Sequence, residues 1–186
     1  MSSRIDAFKP LLKYNGQSFV TSILRKLYPF CENVGIITGF KNEDVELEVK
    51  KIIKDSNFNA NKIHIIHNPD FETGMLSSLH AGLKDLSNCD WLLYHFVDQP
   101  HIPSQFYIEF VKQIEDLYDW IQPRYNNKKG HPILLNKSLF SQILDSEINS
   151  LKDISQDRSA KKKFWNCIYP HIVEDIDTQE DYQKLI

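Results

Sequence analysis

The sequence predicts an α/β fold, a three-layer domain built on a mainly parallel sheet. Apolar, β-branched runs of strand length alternate with amphipathic stretches of helical period. Strand, helix, strand order of that kind calls for right-handed crossovers, which place helices on both faces of the sheet. A length of 186 residues suits one domain, residues 1–186. Hydrophobic residues at 41% and charged residues at 25% match ordinary globular chains and exclude disordered, collagen-like and coiled-coil classes.

Element by element, Val34 to Gly39 reads as a buried strand, and the helix after it carries Val45, Leu47, Val49, Ile52 and Ile53 among Glu and Lys. Lys62 to His67 is a second strand, closed by the turn pair Asn68-Pro69. Met75 to Leu86 is a helix with Leu76, Leu79, Leu83 and Leu86 at spacings of three and four. Trp91 to Val97 is a third strand running into Asp98-Gln99-Pro100, and a helix opens at Ser104 with Phe106, Phe110, Ile114 and Leu117 on one face. Ile121 to Tyr125 and Ile133 to Leu135 read as strands, Asp157 to Asn166 as a helix, and Ile168 to Ile176 as a strand interrupted by Pro170. A terminal helix, Thr178 to Leu185, starts on Thr178 as its cap.

Charge narrows the function classes. Twenty-two Lys and Arg against 25 Asp and Glu give a net charge of −3, so there is no electrostatic case for nucleic acid or an anionic membrane surface. The longest apolar runs fall far short of the roughly 20 residues that span a bilayer, and the amino end shows no signal core, so a cytoplasmic protein is expected. Cys31, Cys89 and Cys167 are odd in number and widely spaced, which fits buried thiols rather than disulfides or a zinc knuckle. The six glycines form neither a G-x-G-x-x-G fingerprint nor a P-loop.

In a parallel sheet, ligands bind beyond the carboxyl ends of the strands, and five polar groups stand at or near such places. Asp98 ends a strand and can hold a hard cation against phosphate oxygens, or equally cap the next helix. Gly74, Ser77 and Ser78 open a helix and present backbone N–H groups and hydroxyls, which suits an anion or an ordinary cap. Arg4 and Lys9, beside Ser2 and Ser3, can neutralise a triphosphate or form a frayed basic end. His131 sits in a Gly-His-Pro turn, facing substrate or serving structure; Asp175 and Asp177 share a metal or lead into a cap. Lys161 to Lys163 read as a solvated helix face.

The order and spacing of these pieces resemble the nucleotidyltransferases of molybdenum cofactor biosynthesis, especially molybdenum cofactor cytidylyltransferase. The matching residues are Ser2-Ser3-Arg4 with Lys9-Pro10-Leu11-Leu12, Val34 to Gly39, Asn68-Pro69-Asp70 with Gly74-Met75 and Ser77-Ser78-Leu79, Asp98-Gln99-Pro100, Gly130-His131-Pro132, Asp157-Arg158, and Asp175 to Thr178 with Glu180-Asp181. The resemblance implies a Rossmann-like sheet of the nucleotidyltransferase type. It also implies transfer of a nucleoside monophosphate from a nucleoside triphosphate, CTP or GTP, to a phosphate-bearing acceptor such as molybdopterin, with release of pyrophosphate. By the same resemblance Arg4 and Lys9 hold the triphosphate, Asp98 binds Mg²⁺ with Asp177 as a weaker ligand, Gly74 to Ser78 enclose the nucleotide, and His131 faces the acceptor. Gln99 looks more like the cytidylyl than the guanylyl branch.

The pattern departs from the family at one place. The family opens with a hydrophobic strand and an Ala-Ala-Gly type loop, and Met1 stands directly after that glycine's position. The expectation is therefore a fold short of its central first strand and phosphate loop, with unpaired backbone groups on the neighbouring strands. Either the start is assigned too late, or the chain is a binding protein without transfer activity whose gap another strand or partner fills. A transferase acting on a sugar or isoprenoid phosphate is the further alternative.

Overall fold

A computed structural model describes residues 7–55, 58–145, 148, 150–157 and 159–186. Arg4, assigned above to the triphosphate, lies outside the described residues, as do Ser2, Ser3 and Arg158. The chain forms a small hairpin of β1 (Lys13–Tyr14) and β2 (Gln17–Ser18), then α1 (Phe19–Leu27), β3 (Val34–Thr38), α2 (Asn42–Asp55), β4 (Ile63–His67), α3 (Met75–Leu86) and β5 (Trp91–Tyr94). It continues through α4 (Ser104–Val111), β6 (Trp120–Tyr125), β7 (Lys128–Lys129), β8 (Ile133–Asn136), α5 (Phe140–Ile143), α6 (Leu151–Gln156), β9 (Lys162–Asn166) and α7 (Gln179–Leu185).

The fold is the expected α/β type with helices on both faces. Parallel pairs join β3 to β4 and β6 to β9, while β8 runs antiparallel between β5 and β6, and β7 adds an antiparallel edge. Alternation of side chains sorts the strands into two cores. Ile121 and Leu134 face a cluster with Ile23 and Leu27 of α1 and Phe106, Tyr107 and Phe110 of α4. Trp120, Ile133 and Leu135 face the other way, onto Leu79 and Leu83 of α3, Phe140 and Ile143 of α5 and Ile154 of α6. A third cluster packs Val20 and Leu24 of α1 and Val45 and Val49 of α2 over Val34 and Ile63.

Among the described residues β3 pairs only with β4, and β5 only with β8. Their other edges border a single apolar cleft of about 930 Å³. Gly35, Ile36 and Ile37 of β3 and all four residues of β5 are consequently only half-buried.

Four sequence expectations are corrected. Residues 157–166 are not a helix: the helix in that region is α6, capped by Ser150 with Asp153 in a reciprocal capping box, and residues 162–166 are strand β9. The aromatic pair explains why. Trp165 packs on Phe106 and Phe110, with ring centroids 5.7 and 5.8 Å away, while Phe164 lies on the other side under Arg124 and Lys129. That is a period of two, suited to a pleated, half-buried surface. The lysines beside them are not a solvated helix face, for Lys163 reaches the Gln113 carbonyl at 3.0 Å and Glu115 at 2.6 Å. Residues 168–176 are not a strand but extended chain broken by a 3-10 turn, Pro170–Val173, because proline brings no N–H to a ladder. The fourth is β5, which stops at Tyr94 rather than Val97.

Candidate active site

The segment after β5 leaves the sheet because His95 anchors it. Its Nδ1–H donates to the Phe96 carbonyl at 2.6 Å, which leaves Nε2 to accept from the Tyr107 hydroxyl at 2.7 Å. Burial holds the His95 ring at a pKa of about 4, so it is neutral, and raises the Tyr107 hydroxyl far above its usual range. Beyond it α1 clamps the turn. The Lys26 ammonium donates to the carbonyls of Pro100 and, at 2.9 Å, Ile102, while Ser22 Oγ donates to Pro100 at 3.3 Å. Burial lowers Lys26 to about 8.

Asp98, held in this turn, meets the carboxyl-terminal segment. Its backbone carbonyl accepts from Ile176 N at 3.0 Å, which draws Asp175 and Asp177 beside it. Asp98 Oδ1 is buried with no hydrogen-bond partner among the described residues. Its pKa is pushed up to about 6, first by burial, then by Asp175 and Asp177, against the lowering pull of Lys9. Lys9 itself pairs with Asp177. Lys9, Asp98 and Asp177 therefore form one charged cluster.

Gln99 ties the cluster together. The side chain is 1% exposed, and Nε2 donates to Asp175 Oδ1 at 2.8 Å and to the Ile172 carbonyl at 3.2 Å. The same Ile172 carbonyl accepts from His131 N at 2.9 Å, so the 3-10 turn at Pro170–Val173 joins the His131 loop to the Asp98 turn. The His131 ring lies 4.5 Å from Phe96, its Nδ1 buried without a partner among the described residues. Burial lowers its pKa while Asp175 opposes the shift.

Gly74, Ser77 and Ser78 stand apart from these carboxylates and make no hydrogen bond to them among the described residues. Gly74 caps α3 at φ +117°, which favours glycine. Ser77 Oγ donates into the chain, being 2.8 Å from the Gly74 carbonyl and 3.0 Å from that of Asp70, so its proton is already used locally. Asn68, 3% exposed, donates to Ser77 Oγ at 2.9 Å and Ser78 Oγ at 3.1 Å. Ser78 also borders the cleft between β3 and β5, whose wall includes Thr38 and Val97. Sequence reasoning missed the Asn68 clamp, Lys26 and the partnership of Gln99 with Asp175.

Cys31, Cys89 and Cys167 are free, and burial raises Cys31 to about 11. Among the described residues no helix is long and apolar enough to cross a membrane.

Comparison with known proteins gives the cluster a setting. Over its full aligned length of 186 residues the chain is 25% identical to molybdenum cofactor cytidylyltransferase of Escherichia coli, covering 98% of this chain and 88% of that protein. It is 24% identical to a probable molybdenum cofactor guanylyltransferase of Bacillus cytotoxicus, covering 100% and 92%. A nucleotidyl transferase of Methanothermobacter superposes with a TM-score of 0.75 at 17% identity, over 96% of this chain and 83% of that one. The manganese complex of Mycobacterium tuberculosis Rv0371C superposes at 0.67 and 13% identity, over 95% and 90%. Residues 1–162 match the family model described as the MobA-like NTP transferase domain. Since that match takes in β3, the Asn68 clamp, the Asp98 turn and the His131 loop, the chain belongs to the MobA-like NTP transferase family.

Proposed function

We propose that this chain moves a nucleoside monophosphate, CMP rather than GMP, from a nucleoside triphosphate to the phosphate of an acceptor, molybdopterin, releasing pyrophosphate. The observation that carries the reading is the convergence of Lys9, Asp98 and Asp177 on one spot, with Gln99 linking them to the His131 loop. In the reaction an acceptor phosphate oxygen attacks the α-phosphorus. One P–O bond forms, the bond from that phosphorus to the bridging oxygen breaks, and the electron pair leaves with pyrophosphate. Little covalent work falls to the protein, so positioning and charge neutralisation supply most of the rate.

The unpartnered buried Asp98 oxygen and the Asp177 carboxylate near it offer the oxygen donors that a hard divalent cation prefers. Asp98 and Asp177 would hold Mg²⁺, which when bound supplies charge neutralisation to phosphate oxygens. Lys9, freed from Asp177, offers its ammonium to the triphosphate, together with Arg4. Gly74, Ser77 and Ser78 contribute the amino end of α3 to the nucleotide, and His131 faces the acceptor. The choice of CTP and of this acceptor rests on the likeness of Asp98-Gln99-Pro100 to the cytidylyl branch and on the cytidylyltransferase match, which stands beside guanylyltransferase matches of nearly equal identity.

The test is pyrophosphate release by the purified chain with CTP or GTP, Mg²⁺ and a phosphorylated acceptor. Release that needs all three, prefers CTP and disappears in Asp98→Ala supports the reading. Nucleotide binding without release, with every acceptor tried, replaces it with a non-catalytic binding protein.

A further inference from the structure

We propose that Arg124, Lys129 and Asn166, gathered around the ring of Phe164, form an anion subsite beside the His131 loop, and that it takes a second negatively charged group of the acceptor, remote from the phosphate that reacts. This rests on the transfer reading above and adds what the far end of the acceptor carries. Strand pairing sets the three donors in a row. Arg124 of β6 stands directly opposite Lys129 of β7 on one flank and Asn166 of β9 on the other. Residues directly opposite one another point to the same face of a sheet. The Arg124 guanidinium carbon lies 4.0 Å and the Lys129 ammonium nitrogen 4.7 Å from the centre of the Phe164 ring, two residues before Asn166.

Like charges directly opposite each other are destabilising, and no carboxylate relieves this pair. Among the described residues neither Arg124 nor Lys129 forms an ion pair with Asp or Glu. The Phe164 ring attracts both cations but offers them no oxygen. Arg124 Nε is also buried with no hydrogen-bond partner among the described residues, a donor that an anion would satisfy.

Placement ties the row to the acceptor. β6 and β9 run parallel and both end at it, and β6 runs the same way as β5, because β8 is antiparallel to both. The row therefore stands at the edge of the sheet from which the Asp98 turn emerges. With β8 lying between β5 and β6, it is two strand spacings, about 10 Å, across the sheet from β5. The His131 loop enters β8 in that interval, held to β6 by Gln122 Nε2, which donates to the Gly130 carbonyl at 3.1 Å, and by Gly130 N, which donates to the Pro123 carbonyl at 2.9 Å. A phosphate at Asp98 and an anion at Arg124 thus fit one molecule that passes His131 and is charged at both ends. An acceptor with a neutral far end would leave Arg124 Nε unsatisfied and the two cations unrelieved.

The experiment reads binding to the full chain with Mg²⁺ present and needs no turnover. Its probes are an alkyl phosphate with a carboxylate at the other end of a chain spanning about 10 Å, the neutral methyl ester of the same compound, and inorganic sulfate. Calorimetry should show the carboxylate binding about tenfold tighter than the methyl ester. That preference should vanish in Arg124→Gln and shrink at least about threefold in Lys129→Gln, whose side chain is exposed and lies outside the core. Sulfate should shift the nitrogen resonance of Arg124 Nε–H. Equal binding of the two esters overturns the proposal, as does a preference that survives both substitutions or an Arg124 resonance that sulfate leaves unmoved. A sulfate shift without preference between the esters gives the row to a free anion and overturns the acceptor assignment. Failure of both esters to bind overturns the phosphate-acceptor reading itself, and the proposal with it.

Discussion

The Gln99 amide has one orientation that satisfies it. Both groups within its reach, the Ile172 carbonyl and the Asp175 carboxylate, accept hydrogen bonds, so Nε2 must face them and Oε1 must turn away. The likeness of Gln99 to the cytidylyl branch pointed weakly to base preference; burial at 1% exposure and two hydrogen bonds into the Ile172–Asp175 segment fit a brace between two chain segments. Gln99→Met, similar in volume and without donors, is expected to lower kcat for pyrophosphate release at least about tenfold and to weaken Mn²⁺ binding, measured by paramagnetic resonance. The ratio of rates with CTP and GTP should stay as it is, and a change in that ratio would return Gln99 to base recognition. Asp98 shows the opposite economy. Its carboxyl is raised to about 6 from an ordinary 3.8, so above pH 6 the ligand-free protein carries an ion it would rather protonate. Asp98→Asn should therefore stabilise the ligand-free chain at pH 8 by about 1–2 kcal/mol, allowing for solvent screening. It should give no gain below pH 4 and abolish transfer, with thermal melts and the pyrophosphate assay as the two checks.

Elements differ in how plainly their residues announce them. α3 and α7 were legible to within a residue, because leucines at spacings of three and four define one and the Thr178 capping box with Asp181 starts the other. β3 and β4 were legible as short β-branched runs. α1 went unread although seven of its nine residues are buried, because Thr21 and Ser22 interrupt the apolar pattern and Ser22 turns out to bond to the Asp98 turn. The 3-10 turn at Pro170–Val173 was invisible since its importance lies in one carbonyl, that of Ile172, which no side-chain pattern records. Gly130 tests that turn directly. A Cβ there would stand 2.3 Å from the Ile172 carbonyl oxygen, and backbone cannot swing aside as a flexible side chain can. Gly130→Ala is expected to cost about 1–3 kcal/mol by overpacking, read as a lower denaturation midpoint, and to reduce activity by shifting the His131 loop away from Gln99. Unchanged stability would show that the contact gives way without strain.

For the whole molecule, the response to acid sets buried groups of opposite sign against each other. His95 and His101 are both held near 4 by burial, below the ordinary 6.5. Glu174, 3.5 Å from His101, is too far for a good hydrogen bond to offset that. Between pH 6.5 and 4 the unfolded chain takes up protons at these two rings that the folded chain refuses, so their contribution to stability is complete above about pH 6.5 and is lost as pH falls toward 4. His131, also lowered by burial, adds to that loss. Asp98 works the other way: folded it binds a proton near 6, unfolded near 3.8, so acidification over that window relieves a cost. Two rings displaced from 6.5 to about 4 outweigh one carboxyl displaced from 3.8 to about 6, and the net expectation is a melting temperature that falls from pH 6.5 to pH 4. The sign of the minority contribution is separately measurable. In Asp98→Asn the opposing group is gone, so the fall between pH 6 and 4 should become steeper than in the parent chain, whereas His101→Phe should make it shallower. Parallel curves for all three proteins would mean that neither group titrates differently in the folded state, and the burial of the Asp98 turn would then be less complete than its contacts with α1 and the Ile176 amide require.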